Sequence, residues 1–365
     1  MSSTAPTSEV DSTEKWSIDT AAYEEVGSQS DSAMPEPEAD EADLTAAVTE
    51  NAVADESVQC TLLQPLSCRF SHLQLIDEPG MLRFYTGFEN YEHFRLFFTI
   101  LGPAVYSLRP FSSLPDVKDQ LLLTLIKLRC AKEDTELAFM FKICRSTVGL
   151  IFHLWINFMY FQLNELQLWP DGEVIESHMS QNFGRLFPKT KLILDATEIP
   201  IEKPGNVEAQ SITFSTYKNQ NTVKTMVGCT PRGVVVYVSD TYGGSTSDRQ
   251  IMERSTLLTN YPFSQGDSIM ADRGIMVQDL FAAQNVKVNT PHMLKGKHQL
   301  TAAELVEDRR IASKRIHVER VIGLGKTFKI MKKDLNGKRI ALANRIIFVC
   351  FMINNFRKCI VGNTA

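Results

Sequence analysis

The chain has 365 residues, is 44% apolar and carries a formal charge of −5. That length supports a sizeable core, and runs such as Leu121–Ile126, interrupted by Thr124, are far too short to span a bilayer. The charge is split: residues 1–60 hold 15 acids and one base, Lys15, the remainder carries +9, and residues 291–365 alone carry +11. A basic body behind an acidic tail predicts a polyanionic partner. Seven scattered cysteines, an odd number with no CxxC pair, argue against a zinc site or a disulfide framework. The first thirty residues lack an apolar signal core, so secretion is not expected.

Residues 1–60 read as a disordered acidic tail, because Ala, Ser, Thr, Glu and Asp cannot bury enough apolar area to offset the entropy of ordering. Residues 80–165 read as helical. Phe84, Phe88, Tyr91, Phe94 and Phe97/Phe98 recur every three to four positions and predict one amphipathic helix over Met81–Leu101. Pro103 and Pro110 break it, and Leu114-Pro115-Asp116 opens the next helix, through about Leu128. A short helix around Leu137 and Ala138, a turn at Lys142–Cys144 and a second helix with Val148, Ile151 and Trp155 inward form a helix-turn-helix layout at about 115–160. Its second helix would present Arg145, Ser146 and Thr147 to a major groove. A pair of core helices with no DNA contact is the other reading of that pattern.

From about 185 the period changes to that of strands. Leu192–Ile201, Thr222–Cys229 and Val234–Val238 predict three consecutive strands in a meander. Gly243–Asp248 forms a loop and helix start, capped by Ser247 or Asp248, with a helix through Leu258. A strand at Ser268–Asp272, a helix at 277–284 and a strand at Val286–Asn289 follow. The helical stretch from 302 to 333 is interrupted by Gly323 and Gly325, and 339–356 is a last apolar helix. The order βββαβαβα over 185–360 is that of an α/β mixed sheet of the RNase H-like class.

In that fold the first and fourth strands are neighbours, so Asp195 and Asp272 converge at one end of the sheet, and a helix beside that end adds Glu319. An acid inside an apolar strand is costly unless it is paired or bound to a cation. Three carboxylates are hard oxygen donors suited to Mg²⁺ or Mn²⁺. Two such ions about 4 Å apart activate the attacking oxygen and stabilise the leaving one at a phosphodiester. An ion pair with Arg315, four residues earlier on the same helix face, is the plainer reading of Glu319.

Five segments carry a family resemblance: Ile193–Ile199, Tyr217–Lys224, Tyr242–Asp248, Gly266–Gly274 and Arg315–Gly323. Over about 80–360 the chain resembles the Harbinger-type DDE transposases, and its helices resemble the helix-turn-helix of that family. The resemblance implies a metal-dependent endonuclease that cuts DNA and joins strands, with Asp195, Asp272 and Glu319 as the triad and metal ligands. Asp248 is the alternative second acid; Asp272 is preferred because it ends the fourth strand. Arg145, Ser146, Thr147, Lys218, Lys224, Lys314, Arg315 and His317 are the expected DNA contacts. Lys295, Lys297, Lys326, Lys329, Lys332 and Lys333 extend the basic footprint. DNA is the expected partner, no membrane is, and a nuclear location follows. A homodimer and a separate Myb-like DNA-binding partner stay open. The rival readings are a domesticated DNA-binding protein without catalysis and a purely hydrolytic nuclease of the same fold.

Overall fold

The computed structural model describes residues 69–362 apart from 167, 168, 262, 295 and 297, and the backbone alone at 338. The acidic tail at 1–60, together with Lys295 and Lys297, lies outside the described residues. All that follows belongs to one unit, Cys68–Ala365.

The first part is helical: α1 (Pro79–Thr86), α2 (Tyr91–Ile100), α3 (Val117–Cys130), α4 (Asp134–Phe141), α5 (Arg145–Glu165), α6 (Gly172–Ser177) and α7 (Gln181–Leu186). The single helix expected over Met81–Leu101 is two. Gly87 takes a left-handed φ of 87°, a conformation glycine adopts without Cβ strain, and Asn90 caps the new helix by accepting from the His93 amide. The helix-turn-helix is present in outline. A capping box between Glu133 and Glu136 starts α4, Lys142 ends it with φ 50°, and α4 and α5 meet at 100°. Val148, Ile151 and Trp155 are fully buried, and Trp155 Nε1 donates to Gln120 Oε1 of α3 at 3.1 Å. No single helix among the described residues is long and apolar enough to cross a membrane.

The second part runs β1 (Thr190–Pro200), α8 (Val207–Thr213), β2 (Phe214–Ser215), β3 (Gln220–Cys229), β4 (Val235–Val238), β5 (Tyr242–Gly243), α9 (Asp248–Glu253) and α10 (Leu257–Asn260). It continues β6 (Ser268–Ala271), α11 (Gln278–Ala282), β7 (Lys287–Asn289), α12 (Ala302–Gly325) and α13 (Ala343–Ile353). The sheet order is β2-β3-β1-β6-β7, with β4 and β5 also on β3. β1 pairs antiparallel with β3 and parallel with β6, and β6 is parallel to β7. This is the RNase H-like arrangement: an antiparallel meander of the first three long strands, extended by two parallel ones. Glycines 243 and 244 lie so close to the end of α8 and to Thr222 that a Cβ at either would collide with Ile212 or Thr213 backbone.

One apolar core cluster takes in α2, α3, α5, α12, α13 and one sheet face, through Ile193, Ile199, Val223 and Val227. The helical region is therefore packed onto the sheet rather than beaded beside it. The other face, with Leu192, Leu194 and Met226, is covered by α9 and α11 residues such as Ile251, Met252 and Phe281. Helix α12 is continuous through Gly323, where a longer side chain would meet open space, and ends only at Gly325. There the ring of Phe351 on α13 lies 2.6 Å from where a Cβ would be. Gly325→Ala should therefore destabilise the protein by about 1–3 kcal/mol through overpacking. The expected readout is a lower urea midpoint; an unchanged midpoint would mean that the buried Phe351 ring yields freely.

Candidate active site

Residues 190–194 of β1 are buried, with Ile193 in one core cluster and Leu192 and Leu194 in the other, and Ile193 and Leu194 are paired with both β3 and β6. The parallel pairing ends at Leu194↔Ala271. Asp195 is the next residue, so its side chain sits where the sheet opens, and Asp272 stands just past the end of β6. Helix α12 packs against β1 and β6 and carries Glu319 to the same opening.

A single cation joins the three acids. The guanidinium of Arg315 lies 3.4 Å from Asp195 Oδ2, 3.6 Å from Asp272 Oδ1 and 2.7 Å from Glu319 Oε1. Asp195 also accepts from its neighbour's amide, Ala196 N, at 3.0 Å. Its carboxyl is pushed up to about 6. Burial is the largest cause, the charges of Asp272 and Glu319 push the same way, and Arg315 and the Ala196 amide oppose them. Two residues further along the same face of β1, the buried Thr197 hydroxyl has no hydrogen-bond partner among the described residues. Three carboxylate oxygens already converge on one positive group, with no sulfur or imidazole among them. That donor set fits a hard divalent cation such as Mg²⁺ or Mn²⁺.

Asp248 is elsewhere. Ser247, not Asp248, caps α9 through a capping box with Gln250. The Asp248 carboxylate pairs with Lys224 Nζ at 3.4 Å, and Lys224 also faces Glu198 at 3.6 Å and donates to Thr246 O at 3.0 Å. Lys224 is thus committed to acids and a carbonyl, not free for a phosphate. Two further expected DNA contacts are corrected. Lys314 is buried, with Nζ over the Phe183 ring at 5.9 Å, and burial lowers its pKa. His317 is buried too, with Nδ1 2.8 Å from Pro231 O, and burial holds its ring below the usual histidine range. Both fall on the stripe of α12 that includes Ile311, Val318, Val321 and Ile322 and faces the core.

Arg145 and Ser146 are exposed at the first turn of α5, and Thr147 is half-buried. Lys218 is exposed on the turn before β3, its Nζ 4.6 Å from the centre of the Tyr217 ring. Lys326, half-buried, is close enough to Lys218, Asp195, Glu198 and Lys332 to feel their charges; burial is the main cause that lowers its pKa. Lys329, Lys332, Arg309, Arg310 and Arg320 are exposed, and Lys333 is paired with Glu133 at 3.1 Å.

A second group has metal-ligand composition: His72, Asp116 and Asp119 offer ligand atoms within 4.8 Å of one another. Its roles are already structural. Asp119 Oδ1 accepts from the His72 amide at 2.7 Å and from Ser71 Oγ at 3.0 Å, and it lies 2.8 Å from His72 Nδ1. Asp116 caps α3 through the Lys118 amide. Ser71 and His72 are 47–48 residues from Asp119 in sequence, so no local pattern announces the group.

Residues 194–355 match the family model of the DDE superfamily endonucleases, and residues 112–165 match the helix-turn-helix of DDE superfamily endonuclease. These two matches cover parts of the chain and support a transposase-like DDE endonuclease domain behind a helix-turn-helix. No curated protein and no solved structure matches the chain.

The raised carboxyl of Asp195 has a thermodynamic consequence. The folded state holds this proton more tightly than the unfolded chain, so stability falls as pH rises from the unfolded value of 3.8 through about 6. The ionised carboxylate costs on the order of 3 kcal/mol above that window. In EDTA, Asp195→Asn should raise Tm at pH 7–8, and the gain should vanish below about pH 4, where the wild-type carboxyl is protonated in both states. A Tm difference that does not vary across this pH range would contradict that assignment.

Proposed function

We infer that the chain is a Harbinger-type, transposase-derived DNA endonuclease in which Asp195, Asp272 and Glu319 perform phosphodiester cleavage and strand transfer. The observation that carries this reading is the meeting of Asp195 in β1, Asp272 just past β6 and Glu319 of α12 on a single cation. A bound divalent metal would supply the activation of the attacking oxygen and the neutralisation of the leaving one. Asp195 would hold it from the central strand, which is paired with β3 through this residue and with β6 as far as Leu194. Asp272 and Glu319, each about half-exposed, complete the oxygen set from β6 and α12. In the first step water attacks phosphorus and the 3′-oxygen departs as a hydroxyl. In the second that 3′-hydroxyl attacks a target phosphodiester at the same acids, and the target's own 3′-oxygen departs as a hydroxyl.

Lys326, which feels the charge of Asp195, and its neighbours Lys218 and Lys332 suit the phosphate backbone, with the exposed Lys329 extending that surface, while Arg145, Ser146 and Thr147 would meet a duplex at the start of α5. Lys314, His317 and Lys224 are not part of this surface. The same reading places the protein in the nucleus, with its substrate. It also carries the homodimer and the Myb-like partner as expectations, which co-purification and light scattering would check.

Cleavage of DNA bearing terminal inverted repeats should require Mg²⁺ or Mn²⁺ and should be lost in Asp195→Asn. Cleavage that persists in the variant would sink the catalytic assignment, while retained binding without cleavage by the wild type would favour the domesticated reading. Failure to join strands despite cleavage would favour the hydrolytic one. Lys218→Ala with Lys332→Ala should weaken DNA binding and flatten its salt dependence by roughly one charge per residue. A salt slope equal to that of the wild type would remove those lysines from the interface.

A further inference from the structure

Two arginines of this protein are held in opposite ways. Arg357 is fastened by the fold: its guanidinium donates to Gly87 O at 3.1 Å, Leu324 O at 3.1 Å and Thr327 Oγ1 at 2.9 Å. Arg315 has no such anchor. Its contacts among the described residues are the three carboxylates of the acid cluster, with no backbone carbonyl. A cation that displaced it would break no hydrogen bond that closes the fold.

It stands between the carboxylates that would hold a metal. Its nitrogens stand 2.7–3.6 Å from an oxygen of each acid. A divalent ion drawn to the same oxygens would repel the guanidinium at a few ångströms and compete with it for lone pairs. The two occupancies therefore exclude one another.

Among the described residues the earlier acids of α12 already have partners. Glu304 is in the capping box with Thr301 and Glu307 lies 3.8 Å from His292 Nε2. Asp308, two turns back, accepts from the His292 amide at 2.9 Å, lies 2.7 Å from His292 Nδ1 and faces Arg273. Lys326 feels the charge of Asp195 and, around it, those of Lys218, Lys332 and Glu198, so cations outnumber acids next to the cluster. A DNA phosphate brought in by those cations is the anion that can receive a guanidinium, by a charge-assisted and often bidentate contact.

We propose that Arg315 is a resident counter-cation that occupies the metal position of the acid cluster until a DNA phosphate draws it away, so that metal loading is coupled to DNA binding. The proposal rests on the reading of Asp195, Asp272 and Glu319 as metal ligands. By linkage, DNA must tighten metal binding by the same factor as metal tightens DNA binding. The device would keep the cluster assembled yet poorly metallated while no DNA is present.

The test is Mn²⁺ affinity, read from loss of the free-ion electron paramagnetic resonance signal. It compares full-length wild type, Arg315→Gln, Arg315→Lys and Asp195→Asn, each with and without a short DNA duplex, after subtraction of Mn²⁺ held by DNA alone. Without DNA, Arg315→Gln should bind Mn²⁺ about 5–150-fold more tightly than wild type, the usual range of a coupling between sites. Arg315→Lys, which keeps the charge but loses the fork, should fall between them. DNA should tighten Mn²⁺ binding to the wild type and leave Arg315→Gln unchanged. Equal or weaker Mn²⁺ binding by whichever Arg315 variant keeps the wild-type melting profile overturns the proposal, as does equal tightening by DNA in wild type and variant. If no protein binds Mn²⁺ above the Asp195→Asn level, the reading of the cluster as a metal site falls, and this proposal falls with it.

Discussion

The acid cluster depends on one constraint: a carboxylate has been placed in the central strand of a buried sheet. Desolvation raises the cost of its charge, and two neighbouring acids raise it further. A structure that keeps such a residue must supply a cation. Here the supply is Arg315, delivered by α12 one helical turn before Glu319. The direction of α12 across the ends of β1 and β6, and the tight contact of its end with α13 at Gly325, serve to hold that cation in register with the acids.

The sheet topology makes the opening that the constraint requires. At Ile193 and Leu194 the central strand is paired with both β3 and β6, and beyond Leu194 the parallel partner is gone. Asp195 and Asp272 therefore stand at the end of the paired region, where charge can meet solvent and substrate while the backbone beneath stays rigid. The opposite face of the same strand is used differently. Glu198, Lys224 and Asp248 neutralise one another there, which explains an acid-bearing motif without giving it a place among the clustered carboxylates.

The helix-turn-helix is bound into the same core. Helix α5 packs against α3, α4 and α13, which leaves Ser146, Leu150, His153, Phe161 and Asn164 exposed along its outer side. The docking of this region onto the sheet also fixes its orientation relative to the acids.

Much of this was legible in the residues themselves. Period-two runs and their order defined the mixed sheet, and an acid inside Leu192–Ile199 marked Asp195, because only a special role offsets the cost of burying a charge. The pairing of Arg315 with Glu319 is also local, set by the four-residue repeat of a helix. The break at Gly87 and the buried fate of Lys314 and His317 were written in the chain too, as a left-handed glycine before a capping asparagine and as an apolar stripe at three- and four-residue spacing on α12. Tertiary structure alone decided what depends on distant segments meeting. The other two contacts of the cluster, Arg315 with Asp195 and with Asp272, join residues 120 and 43 positions apart. That Asp272 meets Arg315 while Asp248 meets Lys224 is likewise set by distant segments. Sequence spacing states which residues can share an element; only the packing of β1, β6 and α12 brings their charges within a few ångströms, where electrostatics acts.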